Sequence, residues 1–449
     1  MHGENSVHEY GLAFAVVACV LSGAAMAQEP PALTNIRYDE DWSTAGAGTP
    51  KHVDLGDGAW LGTGIELRAR NETYHENLWG DAPAPNDGYL LFRAMPYADL
   101  HAGRFRAFVQ PIAAYAASID PSPGPVDQTR LDLLQGFAEV TLPAGEASLS
   151  LRAGRQMLSL GTERLVGTRY GPNVPLAFDG GRATLKSDRL TVSAFAMRPV
   201  RAGSGTFDDG STSDRLLWGV YAARPGLDLY YLGYRARSVV FGPREGRELR
   251  HSLGLRSYGD AGDWHWNWEG VIQFGRFAGG SILAWTLGTE TGRRFPEAPL
   301  APDVTLRFNI VSGDTNAADG WLGTFNALFP KGRYFGELSP VGPYNIVNLN
   351  PQVSLELGRS LVAGISAQAY WRYAREDGIY DIPGGLIRAP GTARSKFIGK
   401  QIEGTLEWQA TRELALSASL SAFAPGGFIR ETGPARTIGM FAFEASYKY

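Results

Sequence analysis

The sequence predicts an all-β protein, folded as a transmembrane antiparallel β-barrel of about 18 strands. Three observations lead there: apolar and polar residues alternate through most of the chain, long and short connections alternate, and the last segment is aromatic. The chain has 449 residues, 44% hydrophobic and 11% aromatic, with 56 glycines. That composition suits many strands rather than helices. After the first 30 residues no run of 18 apolar residues occurs, so no membrane-spanning helix is expected.

The last segment, residues 437–449, shows the alternation most clearly. Tyr449, Tyr447 and Phe443 share one face, whereas Glu444 lies on the other. A period of two indicates a strand. A soluble sheet could also bury such an apolar face on a core. A segment of this length that ends the chain on an aromatic residue is, however, typical of the strand that closes an outer-membrane barrel, with lipid outside and water inside.

Similar segments recur along the whole chain. We predict strands near residues 59–70, 89–100, 103–116, 130–142, 147–157, 179–187, 189–199, 214–224, 228–238, 248–259, 263–275, 282–295, 303–313, 348–358, 361–375, 397–409, 413–424 and 437–449. Eighteen is an even number, as expected of a single-chain bacterial barrel.

The connections between these segments alternate in length. Long ones fall at 75–88, 117–129, 158–178, 200–213, 239–247, 314–347, 376–396 and 425–436, and short turns separate the other pairs. The break at 276–281 is short for a long connection, and 296–302 is long for a short one. Short periplasmic turns and long outer loops are the outer-membrane arrangement. A propeller would repeat every 40–50 residues, and no such repeat is visible.

The amino terminus predicts export. Residues 11–25 are small and apolar, and Ala25-Met26-Ala27 forms an A-x-A cleavage site, so residues 1–27 are the expected signal peptide. The first ten residues depart from the pattern because they contain no Lys or Arg. Lipoprotein cleavage at Cys19 is an alternative. Residues 28–58 are expected to form a periplasmic lead-in, followed by the barrel at 59–449.

Three tryptophans lie on one face just after a short turn. Trp264, Trp266 and Trp268 alternate with polar residues. Because an indole has an apolar body and one hydrogen-bond donor, it settles at a lipid headgroup boundary. We therefore expect part of the periplasmic aromatic girdle here, and a sugar-binding groove is the alternative.

The charged residues can be sorted by strand parity. An arginine that faces lipid at mid-bilayer costs ~2–4 kcal/mol, so charged positions should face the lumen. The predicted pore-lining residues are Arg68, Arg70, Arg93, Arg106, Arg152, Arg182, Arg256, Arg307, Arg372, Glu139 and Glu269. A guanidinium fork matches a carboxylate, which predicts a path for an anionic solute. A ladder of mutually paired arginines and glutamates that only braces the lumen is the other interpretation.

Several short motifs resemble the alginate export family of outer-membrane barrels. They are Leu151-Arg152-Ala153-Gly154-Arg155-Gln156, Phe178-Asp179-Gly180-Gly181-Arg182, Ser312-Gly313-Asp314, Gly323-Thr324-Phe325-Asn326-Ala327-Leu328-Phe329-Pro330, and Tyr370-Trp371-Arg372 with Asp377-Gly378-Ile379-Tyr380. The resemblance covers roughly residues 60–449. It implies an 18-stranded barrel whose arginine-rich lumen passes a polyuronate, with Arg152 and Arg182 at motif positions that line the pore.

Two features of this region depart from simple expectations. Arg155 shares parity with the apolar Leu151, so a bulge or an interfacial placement is needed. The loop 117–129 and the late turn 409–413 are shorter than the corresponding pore-occluding segments of the alginate exporter.

The sequence therefore predicts a bacterial outer-membrane channel for an anionic polysaccharide, an alginate-like polyuronate, or a related anionic solute. A passive uptake porin for small organic acids or aromatic compounds is one alternative, and a barrel-embedded hydrolase is another. Five mature histidines show no metal-ligand spacing and no G-x-S-x-G is present, so we expect no catalytic residues, cofactor or metal. Expected partners are outer-membrane lipid, the anionic solute and periplasmic export components. We expect a monomer without a nucleic-acid partner.

Overall fold

Eighteen long strands close into one antiparallel barrel. The computed structural model describes residues 31–45 and 49–449, so the predicted signal peptide lies outside the described residues. The barrel strands, numbered β1 to β18, are Ala59–His75, Asp87–Ala102, Phe105–Ala117, Thr129–Ala144, Ala147–Met157, Ala177–Lys186, Thr191–Arg201, Arg215–Arg224, Leu227–Phe241, Arg244–Ala261, Trp264–Phe277, Gly280–Arg294, Asp303–Val311, Ile346–Gly358, Leu361–Arg372, Phe397–Gln409, Leu414–Pro425 and Ile438–Lys448.

The first and last strands complete the wall. Each strand pairs antiparallel with the next, and β1 also pairs with β18 from Glu66↔Lys448 to His75↔Gly439. Beyond the ladder, the Tyr449 N–H donates to the Ile65 carbonyl at 2.8 Å and the Ile65 N–H donates back at 2.9 Å. The predicted all-β barrel and its strand count are confirmed.

Burial follows the predicted alternation. In β18, Ile438, Met440 and Ala442 are buried, whereas Phe441 and Phe443 are each 44% exposed on the outside. Trp264 and Trp268 of β11 are likewise exposed and face outward next to a short turn. The set of alternating positions with polar or small side chains therefore faces the interior, and the set with aromatic side chains faces outward from the barrel.

One predicted loop is a tight hairpin. The connection expected at 239–247 is reduced to Gly242 and Pro243, because β9 and β10 continue to pair through Val240↔Glu245 and Phe241↔Arg244. Gly242 has a φ of +54°, a conformation that glycine adopts without steric cost. This two-stranded ribbon extends on the side of the long connections, and its polar residues concealed the pairing from sequence inspection.

The hydrophobic core lies inside the barrel. The loops 158–176 and 312–345 fold inward, and Val166 forms a parallel bridge with Phe329. The Gly167 N–H donates to the Phe329 carbonyl, and the Phe329 N–H donates to the Leu165 carbonyl, both at 2.8 Å. These two loops form a seam across the lumen, and buried side chains from both pack against the wall.

The helical elements of the described chain are short. They are the 3₁₀ turn Arg37–Asp39 and the helices Asn77–Gly80 and Gly427–Thr432. No helix among the described residues has the length and apolar character needed to cross a membrane.

Deleting residues 437–449 should abolish assembly, because it removes β18 and leaves two strand edges with unsatisfied backbone groups. Refolding into detergent and comparing gel mobility with and without heating measures closure. The matched control deletes residues 31–43, which lie outside the barrel wall, and should keep the heat-modifiable band. A compact, heat-modifiable band from the first truncation would contradict the closing role of β18.

Candidate solute pathway through the barrel

The residues predicted from parity all lie on inward-facing positions of barrel strands. Their guanidinium and carboxylate groups do not form one continuous row, however. They separate into groups that fasten loops, groups that pair across the wall, and one pair near the short-turn end of the barrel.

Arg68 and Arg93 fasten the loop 158–176. Arg68 donates to the carbonyls of Tyr170 and Gly171, each at 3.0 Å. Arg93 forms an ion pair of 2.7 Å with Glu66 and donates to further carbonyls of the same loop. The Tyr170 hydroxyl also donates to Glu66. These arginines hold the loop against β1 and β2.

Arg70 ties the same wall to the loop 312–345. Its Nη2 lies 2.7 Å from Glu337 of that loop, and its Nη1 lies 3.2 Å from Glu444 of β18. A third carboxylate, Glu72, accepts from Nε. Arg333 joins the cluster through Glu337 at 3.1 Å. Since each cation has a buried carboxylate partner, this cluster braces the barrel's interior.

Glu269 anchors the opposite side of the loop 158–176. Its carboxylate accepts from the hydroxyls of Tyr230, at 2.6 Å, and Thr162, at 2.5 Å, and pairs with Arg164 at 3.3 Å. Arg164 also donates to the Tyr334 hydroxyl at 2.6 Å. Sequence reasoning missed Arg164 and Arg333 because both lie on loops, where strand parity gives no signal.

Arg256 and Arg307 pair across neighbouring strands. Arg256 contacts Asp228 at 3.0 Å, and Arg307 pairs with Glu290, which lies directly opposite in the register. Cross-strand pairs of opposite charge stabilise a sheet. These arginines stay on the lumen wall with their charge compensated.

Arg372 is held by backbone oxygens. It is 1% exposed, and it donates to the carbonyls of Arg375 and Ser395 at 2.7 Å and of Asp377 at 3.1 Å. All three acceptors belong to the loop 373–396. The guanidinium therefore fixes this loop over the barrel.

Arg152 and Arg182 stand directly opposite each other on β5 and β6. Glu139 lies 2.7 Å from Arg152. The Arg182 side chain donates to the Ser193 hydroxyl, at 3.0 Å. Within the described part of the chain no carboxylate lies within 4 Å of Arg182. Arg152 therefore has a direct ion-pair partner, whereas Arg182 has none at that distance.

The predicted lead-in enters the lumen beside this pair. The Arg152 guanidinium lies 4.2 Å from the centroid of the Tyr38 ring, and Arg106 donates to the Tyr38 carbonyl at 2.6 Å. Arg106 also holds Asp99 with two bonds of 2.8 and 2.7 Å. The Tyr38 hydroxyl reaches the Met157 carbonyl at 2.8 Å. The segment 34–42 is therefore fixed inside the barrel.

The neighbouring residues place a carboxylate in this positive field. Asp39 is exposed to the lumen and interacts electrostatically with Arg152, Arg182 and Arg106. Arg37 secures the segment because its Nη2 donates to the Tyr449 carbonyl at 2.9 Å. A carboxylate of the chain itself thus stands where an anionic solute would meet the arginines.

Lys51 adds a titratable cation at the same end. Its ammonium donates to the Tyr97 hydroxyl at 2.9 Å and lies over the rings of Trp42 and Tyr449. Burial lowers the pKa of Lys51 to about 8, because removal from water disfavours the charged form.

Arg155 takes the interfacial placement that its parity required. It pairs with Asp179 at 2.9 Å and donates to the Leu133 carbonyl at 3.0 Å. Asp132, Asp208 and Asp209 bring carboxylate oxygens within 4.8 Å of one another nearby. Sequence reasoning missed this acidic group, because its members come from distant parts of the chain.

Replacing both Arg37 and Tyr38 by Ala should release the segment 34–42 and raise single-channel conductance in planar bilayers. The wall should remain intact, because its hydrogen bonds run between strands. A matched double variant, Asp54→Ala with Leu55→Ala, alters exposed residues of the same lead-in and should leave conductance unchanged. Equal conductance of all three proteins would show that the segment does not obstruct the lumen.

The fold also occurs in solved porins. A BenF-like porin from Pseudomonas fluorescens Pf-5 superimposes with a TM-score of 0.58 at 10% identity, covering 87% of this chain and 98% of that one. OccK2 (OpdF) of Pseudomonas aeruginosa in complex with glucuronate has a TM-score of 0.56 at 15% identity, and the alignment covers 86% of this chain and 97% of that one. OccAB2 of Acinetobacter baumannii has a TM-score of 0.56 at 11% identity, and the alignment covers 86% of this chain and 98% of that one. Identities this low establish the common fold alone.

Sequence comparison identifies the family. No curated protein matches the chain significantly. The sequence profile for alginate export matches residues 59–443, which is nearly the whole barrel. The resemblance predicted from short motifs is therefore confirmed over the full wall, and the protein belongs to the alginate export family of outer-membrane channels.

Proposed function

We propose that this channel passes carboxylated saccharides of the uronate type. The observation that carries the proposal is the Arg152–Arg182 pair, in which Arg152 is ion-paired with Glu139 whereas Arg182, among the described residues, has no carboxylate within 4 Å. Like charges directly opposite each other destabilise a sheet. The pair is favourable when an anion occupies the space between the guanidiniums.

The chemistry of the pair suits a carboxylate on a sugar ring. A guanidinium offers two parallel N–H donors that match a carboxylate. The ring of Phe137 lies 4.1 Å from the Arg152 guanidinium, so an apolar surface stands beside the charge. Because the low-dielectric wall focuses the field, an arginine without a carboxylate in ion-pair contact favours anions. A single such site also lets a solute leave again.

The structure of OccK2 (OpdF) of Pseudomonas aeruginosa in complex with glucuronate supports this solute class. The glucuronate is bound to the Pseudomonas protein, with which this chain shares the fold at 15% identity. The chemistry of a uronate nevertheless agrees with the charge of the Arg152–Arg182 pair, which was derived from this chain.

Uptake of small organic acids is the second candidate. The seam between the loops 158–176 and 312–345 favours it, because Val166 and Phe329 meet inside the lumen. Such a partition suits small solutes better than a continuous polymer. The hydrolase alternative gains no support, since Glu66 is bonded to Arg93 and Tyr170, and Glu139 is bonded to Arg152.

Replacing Arg182 by Glu should lower or invert anion-over-cation permeability. Among the described residues no carboxylate lies within 4 Å of Arg182, whose side chain donates to the Ser193 hydroxyl, so this variant breaks no ion pair. The reversal potential in a salt gradient measures the effect, which should shrink at 1 M salt, where screening acts over ~3 Å. The control Arg189→Glu lies in an exposed short turn and should behave as wild type.

Swelling of protein-containing liposomes then distinguishes the solutes. With glucuronate, an alginate oligomer and benzoate as probes, the proposal predicts that glucuronate enters fastest and that Arg182→Glu slows its entry. Entry of benzoate alone would favour the organic-acid channel. An unchanged reversal potential in Arg182→Glu would contradict the anion path.

The long connections should face the cell exterior. Asn316 lies in the exposed tip of the loop 312–345, and Ala261 lies in a short turn. An impermeant maleimide should label Asn316→Cys on intact cells and should label Ala261→Cys only after the outer membrane is permeabilised. Reversed labelling would show that the barrel has the opposite orientation.

A further inference from the structure

Three exposed arginines form a triangle on the outer face of the barrel, close to the long-connection end. Arg235 on β9 and Arg276 on β11 both pair with Leu249 of β10, from its two sides. Arg247 lies two residues beyond Leu249 on the same face of β10. Neighbouring strands are about 4.8 Å apart and alternate residues about 7 Å, so the three Cα atoms lie within about 10 Å of one another.

These arginines have no anionic partner within 4 Å in the part of the chain that the structure describes. Among residues 31–45 and 49–449, none of the three makes a side-chain hydrogen bond or ion pair, and all are exposed. The two acids nearest in the register are already engaged: Glu245 accepts from Ser238, and Asp214 lies 3.7 Å from Arg237. Arginine facing hydrocarbon is unfavourable, and it is tolerated at the headgroup boundary.

A polar pair lies next to the triangle, toward the membrane interior. His251 is two residues from Leu249 on the same face of β10, and its Nδ1 is 2.8 Å from the Tyr231 hydroxyl. Its ring stacks on Phe274 with centroids 5.3 Å apart. The Trp218 ring lies edge-on to the His251 ring, with centroids 6.3 Å apart. A histidine on the outer surface of the barrel is thus held among aromatic rings.

An apolar groove continues from this point along the outer wall. It has a volume of about 770 Å³ and is lined by Leu229, Tyr231, Leu253, Ile272 and Trp285, among others. Gly270 forms part of its floor. The groove therefore begins beside the polar pair and runs over the strands that carry the three arginines.

We propose that this surface binds an anionic lipid of the outer leaflet through a phosphate-bearing headgroup, with acyl chain in the groove. Three guanidiniums around one point match a phosphate, which accepts charge-assisted hydrogen bonds. The Tyr231–His251 pair contacts the polar boundary of the headgroup. Basic clusters beside transmembrane elements recognise anionic lipid headgroups in this way.

The positive charge of the patch favours an anionic lipid over a second copy of the chain as its occupant. A two-fold interface would place the same patch against itself. Arg235, Arg247 and Arg276 would then face the same arginines of the partner, and like charges repel. An anionic lipid, in contrast, compensates all three.

The test uses the full-length barrel, delipidated in detergent and titrated with bisphosphorylated, hexa-acylated lipid A. Native mass spectrometry counts bound lipids. The triple variant Arg235→Ala, Arg247→Ala, Arg276→Ala should bind at least about tenfold more weakly, since each arginine near an anionic surface contributes roughly a fivefold factor. The control triple Arg104→Ala, Arg189→Ala, Arg224→Ala removes equal charge from exposed positions at the short-turn end and should bind as wild type.

A groove-filling variant tests the acyl contact. A Cβ added at Gly270 meets nothing closer than the Leu287 side chain at 3.9 Å, so Gly270→Trp should fold and weaken lipid binding. The deacylated bisphosphorylated disaccharide should bind far more weakly than the lipid to wild type. Heat-modifiable gel mobility verifies that every variant forms a closed barrel.

Three results would overturn the proposal. One is equal affinity of wild type and the arginine triple variant for lipid A. A second is a lipid-free dimer that the triple variant dissociates, because the patch would then be an interface between copies. The third is equal binding of the lipid and its deacylated headgroup, which would show a phosphate site without an acyl groove.

Discussion

Closure of the hydrogen-bond ladder between β1 and β18 is the constraint on which the rest of the structure depends. Within a bilayer, unsatisfied backbone N–H and C=O groups cost several kcal/mol each, so a sheet must have no free edge. The last residues of the chain provide the missing partners, from Lys448 opposite Glu66 to Gly439 opposite His75. Once the wall is closed, alternate side chains have only two destinations, and charged ones at mid-bilayer depth must face inward.

This constraint explains why strand parity predicted so much from sequence. Arg68, Arg152 and Arg256 were assigned to the lumen because their neighbours are apolar, and the structure places each on an inward position. Parity says nothing about partners, however. Arg372 and Arg182 have equivalent sequence patterns, yet Arg372 is bound by carbonyls of the loop 373–396, whereas Arg182 donates to the Ser193 hydroxyl of a neighbouring strand. The difference comes from the long loops, which fold into the barrel and do not show the alternating pattern of the strands.

The same limit applies to the interior as a whole. Arg164 and Arg333 belong to long loops, and no periodicity in the sequence indicates that these loops enter the barrel. The seam at Val166 and Phe329 depends on contacts between residues more than 150 positions apart along the chain. At 239–247 the opposite error occurred, since a polar ribbon was predicted as a loop although its backbone pairs continuously. The barrel strands can thus be predicted from sequence more reliably than the loops that occupy the lumen.

The position of Asp39 has a consequence for how solutes would compete for the lumen. A group held by a short linker acts at an effective concentration in the millimolar range. The Asp39 carboxylate is tethered beside Arg152 and Arg182 by a segment anchored through Arg37 and Tyr38. A dilute free carboxylate meets this tethered competitor each time it approaches the pair. If the proposed pathway holds, occupancy of the pair by solute would rise with external concentration only once that concentration approached the effective concentration of the Asp39 carboxylate.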